Sequence, residues 1–132
     1  MKFSKGFIKY ITAKKVSAQS DSFFQAYVTC ALWSSSGDDG EPLDANYNDI
    51  APEALSKMKA DCDRFQSENA DDLSNLDLSQ AGHDFWLTRN HHGAGFWDRG
   101  HDKQLGERLT AASHKFGESD LYVGDDGKVY IS

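Results

Sequence analysis

Apolar residues recur at helical spacing in three parts of the chain, and polar breakers separate them. The first part, residues 23–33, is apolar on most sides and follows Asp21, a residue type that caps helix N-termini. The second begins near Pro52, and the third ends at Gly117. Their apolar stripes are Leu55, Met58, Cys62 and Phe65 in the second and Leu105, Leu109, Ala112 and Phe116 in the third. This pattern predicts three helices.

Beyond residue 82 the pattern becomes typical of strands. Residues 83–90 and 95–99 are aromatic-rich runs separated by four residues, which predicts a β-hairpin. A second hairpin is predicted where residues 121–123 and 128–131 flank the turn sequence Gly-Asp-Asp-Gly. We therefore expect an α+β fold in which a small antiparallel sheet, built as hairpin, helix and hairpin, packs against the N-terminal helices.

The charges divide the chain into unlike parts. The 132 residues carry a net charge of −7, yet residues 1–20 contain five lysines and no acidic residue. Residues 38–84 hold 13 acidic and three basic residues, a net charge of −10. We expect a basic, flexible N-terminal arm at 1–20 and one domain at 21–132. The acidic total argues against a broad surface for nucleic acid or anionic lipid, so direct nucleic-acid contact is expected only weakly and through the arm.

The sequence also predicts what the protein lacks. It has neither an apolar run long enough to span a membrane nor a secretory signal, so we expect it in the cytoplasm. No nucleotide, zinc-protease or hydrolase motif is present, and we expect no cofactor. Cys30 and Cys62 lie in apolar segments without metal or redox spacing, which predicts two buried free thiols.

One segment concentrates the residue types that carry chemistry. Residues 83–101 contain four of the five histidines, two of the three tryptophans and two of the four arginines. In the predicted hairpin, strand alternation would place one group on a tryptophan-floored face, namely Trp86, Thr88, Asn90, Trp97 and Arg99. The opposite face would hold an ion pair between Arg89 and Asp98 at the margin of the core.

Three interpretations of this segment stay open. In a structural one, the tryptophans pack under a helix and the arginines pair with Asp84 and Asp98. In a binding one, the hairpin recognises a base, a sugar or a partner side chain. The candidate binding residues are His83, Asp84, Trp86, Arg89, Asn90, Trp97, Asp98 and Arg99. In a third, these groups serve acid–base catalysis or hold a metal, for which the candidate ligands are His92, Asp98 and His101.

The same segment carries a resemblance. The sequences GHDFWLTRN at residues 82–90 and GAGFWDRG at 93–100 resemble a segment of an uncharacterised family of small accessory proteins encoded by tailed bacteriophages and prophages. The likeness extends less specifically to residues 31–35 and 121–127. It implies an accessory protein that works inside a bacterial host. Glycine is expected in those relatives at His91 or His92, which argues against metal ligation.

The acidic part of the chain offers a second working surface. Its candidate residues are Asp61, Asp63, Glu68, Asp71 and Asp72, with the first three expected to face outward. Spaced carboxylates imitate the phosphates that a basic cleft recognises. We therefore expect a non-enzymatic protein that binds a host or phage protein, including a basic one that handles nucleic acid, and inhibits it. The alternative is a small-ligand or hydrolytic module built on residues 83–101.

Overall fold

The computed structural model describes residues 21–37, 40–43 and 45–132. These residues form five helices and a two-stranded antiparallel sheet, which confirms the α+β fold class. The elements are α1 (Ser22–Ser34), α2 (Pro52–Glu68), α3 (Ala70–Leu73), α4 (Leu78–Arg89), α5 (Lys103–His114), β1 (Leu121–Val123) and β2 (Val129–Ile131). None of these helices has the length and apolar character needed to cross a bilayer. The predicted basic arm at 1–20 lies outside the described residues.

The three helices predicted from apolar spacing are confirmed as α1, α2 and α5. The carboxylate of Asp21 accepts a hydrogen bond from the Phe24 backbone N–H at 3.0 Å and so caps α1. Pro52 occupies the first turn of α2, where its missing N–H costs no helical hydrogen bond. Beyond α5, Gly117 adopts a positive φ of 75°, as expected of a residue that ends a helix.

The predicted first hairpin is wrong, because residues 83–89 belong to α4. The carboxylate of Asp77 caps this helix by accepting hydrogen bonds from the backbone N–H groups of Ser79 and Gln80. The helix ends at Arg89, and residues 96–98 form a single 3₁₀ turn rather than a strand. From residue 81 to residue 89 every position except His83 is buried. A helix enclosed on nearly all sides has no amphipathic period, so its aromatic run resembles a buried strand.

Helix α4 lies at the centre of the core. The Phe85 ring stacks on Phe65 of α2 at a centroid distance of 4.2 Å and on Tyr27 of α1 at 5.2 Å. The Phe85 ring also packs edge to face against Phe116, which follows α5, with 5.1 Å between the ring centroids. Gly82 lets α4 approach α1 closely, since a Cβ there would lie 2.0 Å from the Phe23 carbonyl oxygen. One aromatic cluster therefore joins α4 to α1, to α2 and to the end of α5.

The C-terminal hairpin is confirmed. Leu121 pairs with Ile131 and Val123 with Val129, and the connecting turn contains Gly127 at a φ of 82°. The positive φ explains why the turn needs glycine at that position. The backbone N–H of Ala51 donates to the Val129 carbonyl at 2.8 Å, which attaches the hairpin to the residue preceding α2. The small sheet thus extends the helical core at one end.

Both cysteines are buried and free, as expected. Burial raises the pKa of the Cys30 thiol to about 12 and that of the Cys62 thiol well above its ordinary value. Because the thiolate is the reactive form, the two side chains are inert at neutral pH.

We expect iodoacetamide at pH 8 to label neither Cys30 nor Cys62 in the folded protein. Alkylation should be at least about 100-fold slower than in protein unfolded by guanidinium, since burial suppresses both access and thiolate formation. Mass spectrometry of quenched time points measures the two rates. Labelling of either cysteine at similar rates in the two states would contradict its buried position.

Candidate functional site

The structure separates the two tryptophans that the sequence placed on one face. The Trp86 side chain is 2% exposed, and its indole N–H donates to the Ser34 hydroxyl at 3.0 Å. The Trp97 side chain, in the 3₁₀ turn, is 57% exposed. The predicted tryptophan-floored surface is therefore wrong. Trp86 joins α4 to the C-terminal end of α1, whereas Trp97 is available to solvent.

Arg89 does not pair with Asp98, and the predicted ion pair is wrong. Its side chain is 2% exposed and points into the core from the last turn of α4. There it donates to Asp61 Oδ2 at 2.9 Å and to the Tyr27 hydroxyl at 3.0 Å. It also donates to the backbone carbonyls of Phe116 at 2.9 Å and Gly117 at 2.8 Å. Arg89 is thus a buried structural residue that connects α1, α2 and the end of α5.

Asn90 and Asp98 also have local structural partners. The Asn90 amide donates to the Trp86 carbonyl, and its oxygen accepts from the Ser119 backbone N–H at 2.8 Å. Asp98 Oδ1 accepts from the Gly95 backbone N–H at 3.0 Å and holds the 3₁₀ turn. For Trp86, Arg89, Asn90 and Asp98 the structural interpretation therefore accounts for the side-chain contacts.

Three candidates from the sequence do come together, at the N-terminal half of α4. Asp84 is fully buried, and Arg99 donates to it from Nε at 3.0 and 3.1 Å and from Nη2 at 2.8 Å. Gln80 Nε2 donates to the same carboxylate at 3.0 Å. His83 Nδ1 lies 3.7 Å from Asp84 Oδ1 and is buried without a hydrogen-bond partner. The hydrogen bond from Arg99 to Asp84 raises the pKa of the guanidinium, which stays charged.

This group opens into a groove of about 530 Å³ between α1 and α4. The lining residues are Ser22, Gln25, Ala26 and Thr29 from α1, Asp77 before α4, Ser79, Gln80 and His83 from α4, and Arg99. Beside it stands Trp33, which is 65% exposed and whose ring centroid lies 6.2 Å from that of His83. The groove therefore combines a charged guanidinium with small polar side chains, and one exposed indole lies next to its lining residue His83.

Sequence reasoning missed the contribution of α1 to this groove. Residues 23–33 were interpreted as a buried helix, apolar on most sides. A signal was nevertheless present, because residues 22, 25, 26, 29 and 33 follow helical spacing and include several polar side chains. An exposed tryptophan at the end of that polar stripe is the feature that distinguishes it from an ordinary solvated face.

The metal candidates do not form a site. Within residues 21–37, 40–43 and 45–132, no group of three or more histidine, cysteine, aspartate or glutamate side chains is arranged to hold a metal ion. His92, Asp98 and His101 are therefore not brought together as ligands. The histidine loop instead packs locally, with the His91 ring stacked on that of His114 at 4.3 Å.

The candidate acidic surface is largely neutralised by the protein's own cations. Asp61 does not face outward as expected but points to the buried Arg89 at 2.9 Å. The other ion pairs of the candidate acids are Asp61 with Lys57 at 3.4 Å, Asp63 with Lys59 at 2.7 Å, Glu68 with Arg64 at 2.9 Å and Asp72 with Arg108 at 2.8 Å. The hydrogen bond from Arg108 also lowers the pKa of Asp72. Of the five candidate acids, Asp71 alone has no ion pair among the described residues.

Comparison with known proteins leaves the site to be interpreted from its own geometry. No protein-family model, no curated protein and no solved structure matches this chain. The groove between α1 and α4 is the place where candidate residues from the sequence converge with an exposed aromatic side chain.

Proposed function

We propose that this chain is a small accessory protein of a tailed bacteriophage or prophage that acts in the bacterial cytoplasm by binding another protein. We further propose that the groove between α1 and α4, with Trp33 at its edge, is the binding surface. The observation that carries the proposal is the position of Arg99, held by a buried carboxylate, in a groove next to an exposed indole. The resemblance of residues 82–100 supports the phage origin.

The residue types in this groove favour protein recognition. Tryptophan and arginine contribute most to binding energy in protein interfaces, particularly near the centre of a contact. Trp33 is 65% exposed and is not a member of the hydrophobic core. Arg99 is already ordered by its bonds to Asp84, so a partner would not need to immobilise a flexible side chain.

The hydrogen bonding favours binding over hydrolysis. A general base must have a free lone pair aimed at the proton that it removes. The Asp84 carboxylate already accepts hydrogen bonds from three N–H donors, namely Nε and Nη2 of Arg99 and Nε2 of Gln80. His83 Nδ1, at 3.7 Å from Asp84 Oδ1, is beyond hydrogen-bond distance of that carboxylate. The group therefore has the character of a positioned guanidinium rather than an acid–base pair.

The internal ion pairs weaken the case for an acidic inhibitor. A phosphate-like surface needs unpaired carboxylates, but Asp63, Glu68 and Asp72 each have a cation within 2.9 Å. Such pairs leave a weaker field at the distance of a partner. The net charge of −10 over residues 38–84, from 13 acidic and three basic residues, still favours a partner with a basic surface.

We expect replacement of Trp33 by alanine to abolish partner retention. The tagged full-length protein would be incubated with bacterial lysate, and retained proteins quantified by mass spectrometry. Loss of an interface tryptophan worth about 2 kcal/mol corresponds to roughly 30-fold weaker binding. Tyr122→Ala is the matched control, since Tyr122 is a 48% exposed aromatic residue in the C-terminal hairpin.

A second variant separates the groove from the acidic surface. The double substitution Asp63→Asn and Asp71→Asn neutralises exposed acids without changing the groove, and we expect it to leave retention within about twofold. If this variant loses the partner while Trp33→Ala keeps it, the acidic surface is the binding surface. If neither the wild-type protein nor any variant retains a specific protein at low salt, the binding function is wrong.

A further inference from the structure

We infer that the groove is a carboxylate-binding site, in which the free Nη1–Nη2 end of Arg99 takes one carboxylate of the partner. The identity of the carrier as a protein rests on the proposed function. The chemistry of the site does not, because a small carboxylate reports on it directly. The guanidinium and the buried carboxylate behind it support this inference.

The guanidinium has two edges that match a carboxylate, and one of them is in use. Arg99 contacts Asp84 through Nε and Nη2, which is the side edge of the group. The terminal edge, formed by Nη1 and the second N–H of Nη2, makes no hydrogen bond to a described residue. Two parallel N–H donors bind two carboxylate oxygens bidentately. Arg99 can therefore join Asp84 and a second carboxylate at once.

Asp84 fixes the direction of that free edge. Its side chain is 0% exposed, whereas the Arg99 side chain is 29% exposed, so the guanidinium lies between a buried anion and the groove. Gln80 holds Asp84 from the other side at 3.0 Å. A pre-oriented donor pair loses little entropy on binding, which increases affinity without additional contacts. Asp84 is therefore a positioning residue, because it is buried and holds an arginine that faces an open groove.

The local charge favours a monoanion over a dianion. Among the described residues, Arg99 is the one formal cation that lines the groove. Asp77 also lines it, and Asp84 lies behind Arg99. Ser22 and Ser79, in the first turns of α1 and α4, border the groove, and Asp21 and Asp77 already cap these two helix N-termini. A single carboxylate is therefore accommodated, whereas a phosphate dianion meets greater repulsion. The partner group is an acidic side chain or a C-terminal carboxylate.

Trp33 and His83 specify what accompanies the carboxylate. Their rings lie side by side, with 6.2 Å between the centroids, and Trp33 stands open to solvent. An apolar side chain next to the partner's carboxylate would cover the indole and gain the burial of both surfaces. The site thus fits a segment in which an apolar residue neighbours the acidic group.

The test is a titration of the ¹⁵N-labelled full-length protein with sodium acetate, followed through the Nε–Hε resonance of Arg99. Sodium chloride at matched ionic strength and inorganic phosphate are the reference salts. We expect acetate to shift this resonance saturably with a dissociation constant in the millimolar range, and phosphate to bind more weakly. A shift by acetate equal to that by chloride, or tighter binding of phosphate, would overturn the inference.

Two matched variants test the site without removing the cation from Asp84. Thr29→Glu puts a carboxylate on the exposed α1 face of the groove, and Thr29→Gln is its uncharged control of similar size. We expect at least a tenfold loss of acetate affinity in the first and less than a threefold loss in the second. Arg99→Lys keeps the charge but removes the two-pronged donor, and should also lose at least tenfold when the titration is followed through the backbone amide of residue 99. Unchanged acetate affinity in both Thr29→Glu and Arg99→Lys would contradict the site.

These outcomes are distinguishable from those of the retention experiment. If acetate fails to saturate at Arg99 while Trp33→Ala still loses the partner, the carboxylate site is wrong and the binding surface stands. If acetate binds as expected while Trp33→Ala retains the partner, the carboxylate site stands and the proposed binding surface is wrong.

Discussion

Replacing Arg89 by methionine is expected to lower the free energy of unfolding by about 3–5 kcal/mol, because it breaks a buried ion pair from one side. Methionine fills much of the volume but donates no hydrogen bonds. Asp61 and the Tyr27 hydroxyl would lose the donor that lies 2.9 and 3.0 Å away. The carbonyls of Phe116 and Gly117 would also lose theirs. A loss of this size is a large fraction of the roughly 5–15 kcal/mol that stabilises a typical domain.

Urea denaturation followed by circular dichroism measures the effect. Arg64→Met is the matched control, since Arg64 is an exposed arginine of α2 whose guanidinium lies 4.5 Å from the Phe116 ring centroid. Its pair with Glu68 is solvent-exposed, and we expect a change within about 1 kcal/mol. If both variants lose the same free energy of unfolding, burial is not what makes Arg89 important for stability. Arg89→Lys should recover little of the stability lost in Arg89→Met, because an ammonium group cannot reproduce the forked set of donors.

Replacing Gly82 by alanine is expected to destabilise the protein by about 3 kcal/mol through overpacking. The new Cβ would lie 2.0 Å from the Phe23 carbonyl oxygen and 2.8 Å from its carbonyl carbon. Both atoms are backbone of α1, so relief requires that α1 and α4 move apart along their contact. The higher helix propensity of alanine, ~1 kcal/mol, only partly offsets this cost.

Gly106→Ala is the matched control for Gly82→Ala. Gly106 also lies within a helix, but a Cβ there would meet its nearest atom, the Phe96 carbonyl oxygen, at 3.4 Å. The same substitution should therefore leave stability unchanged or raise it by up to about 1 kcal/mol. Thermal unfolding of both variants gives the comparison. If the two shift the midpoint in the same direction and by similar amounts, close packing of α1 on α4 is not what requires Gly82.

Most of the fold could be predicted from local signals. Helices α1, α2 and α5 carry caps, a first-turn proline and apolar periods that depend on nearest neighbours along the chain. The C-terminal hairpin has a four-residue turn that contains glycine, and its register follows from that turn. In each of these elements one face meets the core and the other meets solvent, so the sequence pattern records the difference.

The candidate site could be predicted only in part. Residues 83–101 were identified as the segment with candidate chemistry, and His83, Asp84 and Arg99 do converge there. Their geometry was assigned to a hairpin because Phe85, Trp86 and Thr88 favour strands and show no helical period. The structure places them in α4, which is surrounded by the rest of the core. Local preference was overridden by packing, so Trp86 and Thr88 are buried although the hairpin placed them on the open face with Trp97.

The sequence by itself determined which residue types are available: an excess of acids, an apolar set sufficient for a core, and a segment with arginine, histidine and tryptophan close together. It did not determine which arginine is structural. Arg89 and Asp61 are 28 residues apart, and Arg99 and Asp84 are 15 apart. Only the packing of α4 among α1, α2 and α5 buries the first arginine and leaves the second in an open groove. Burial depends on all the elements that surround a residue, so it is a property of the tertiary structure.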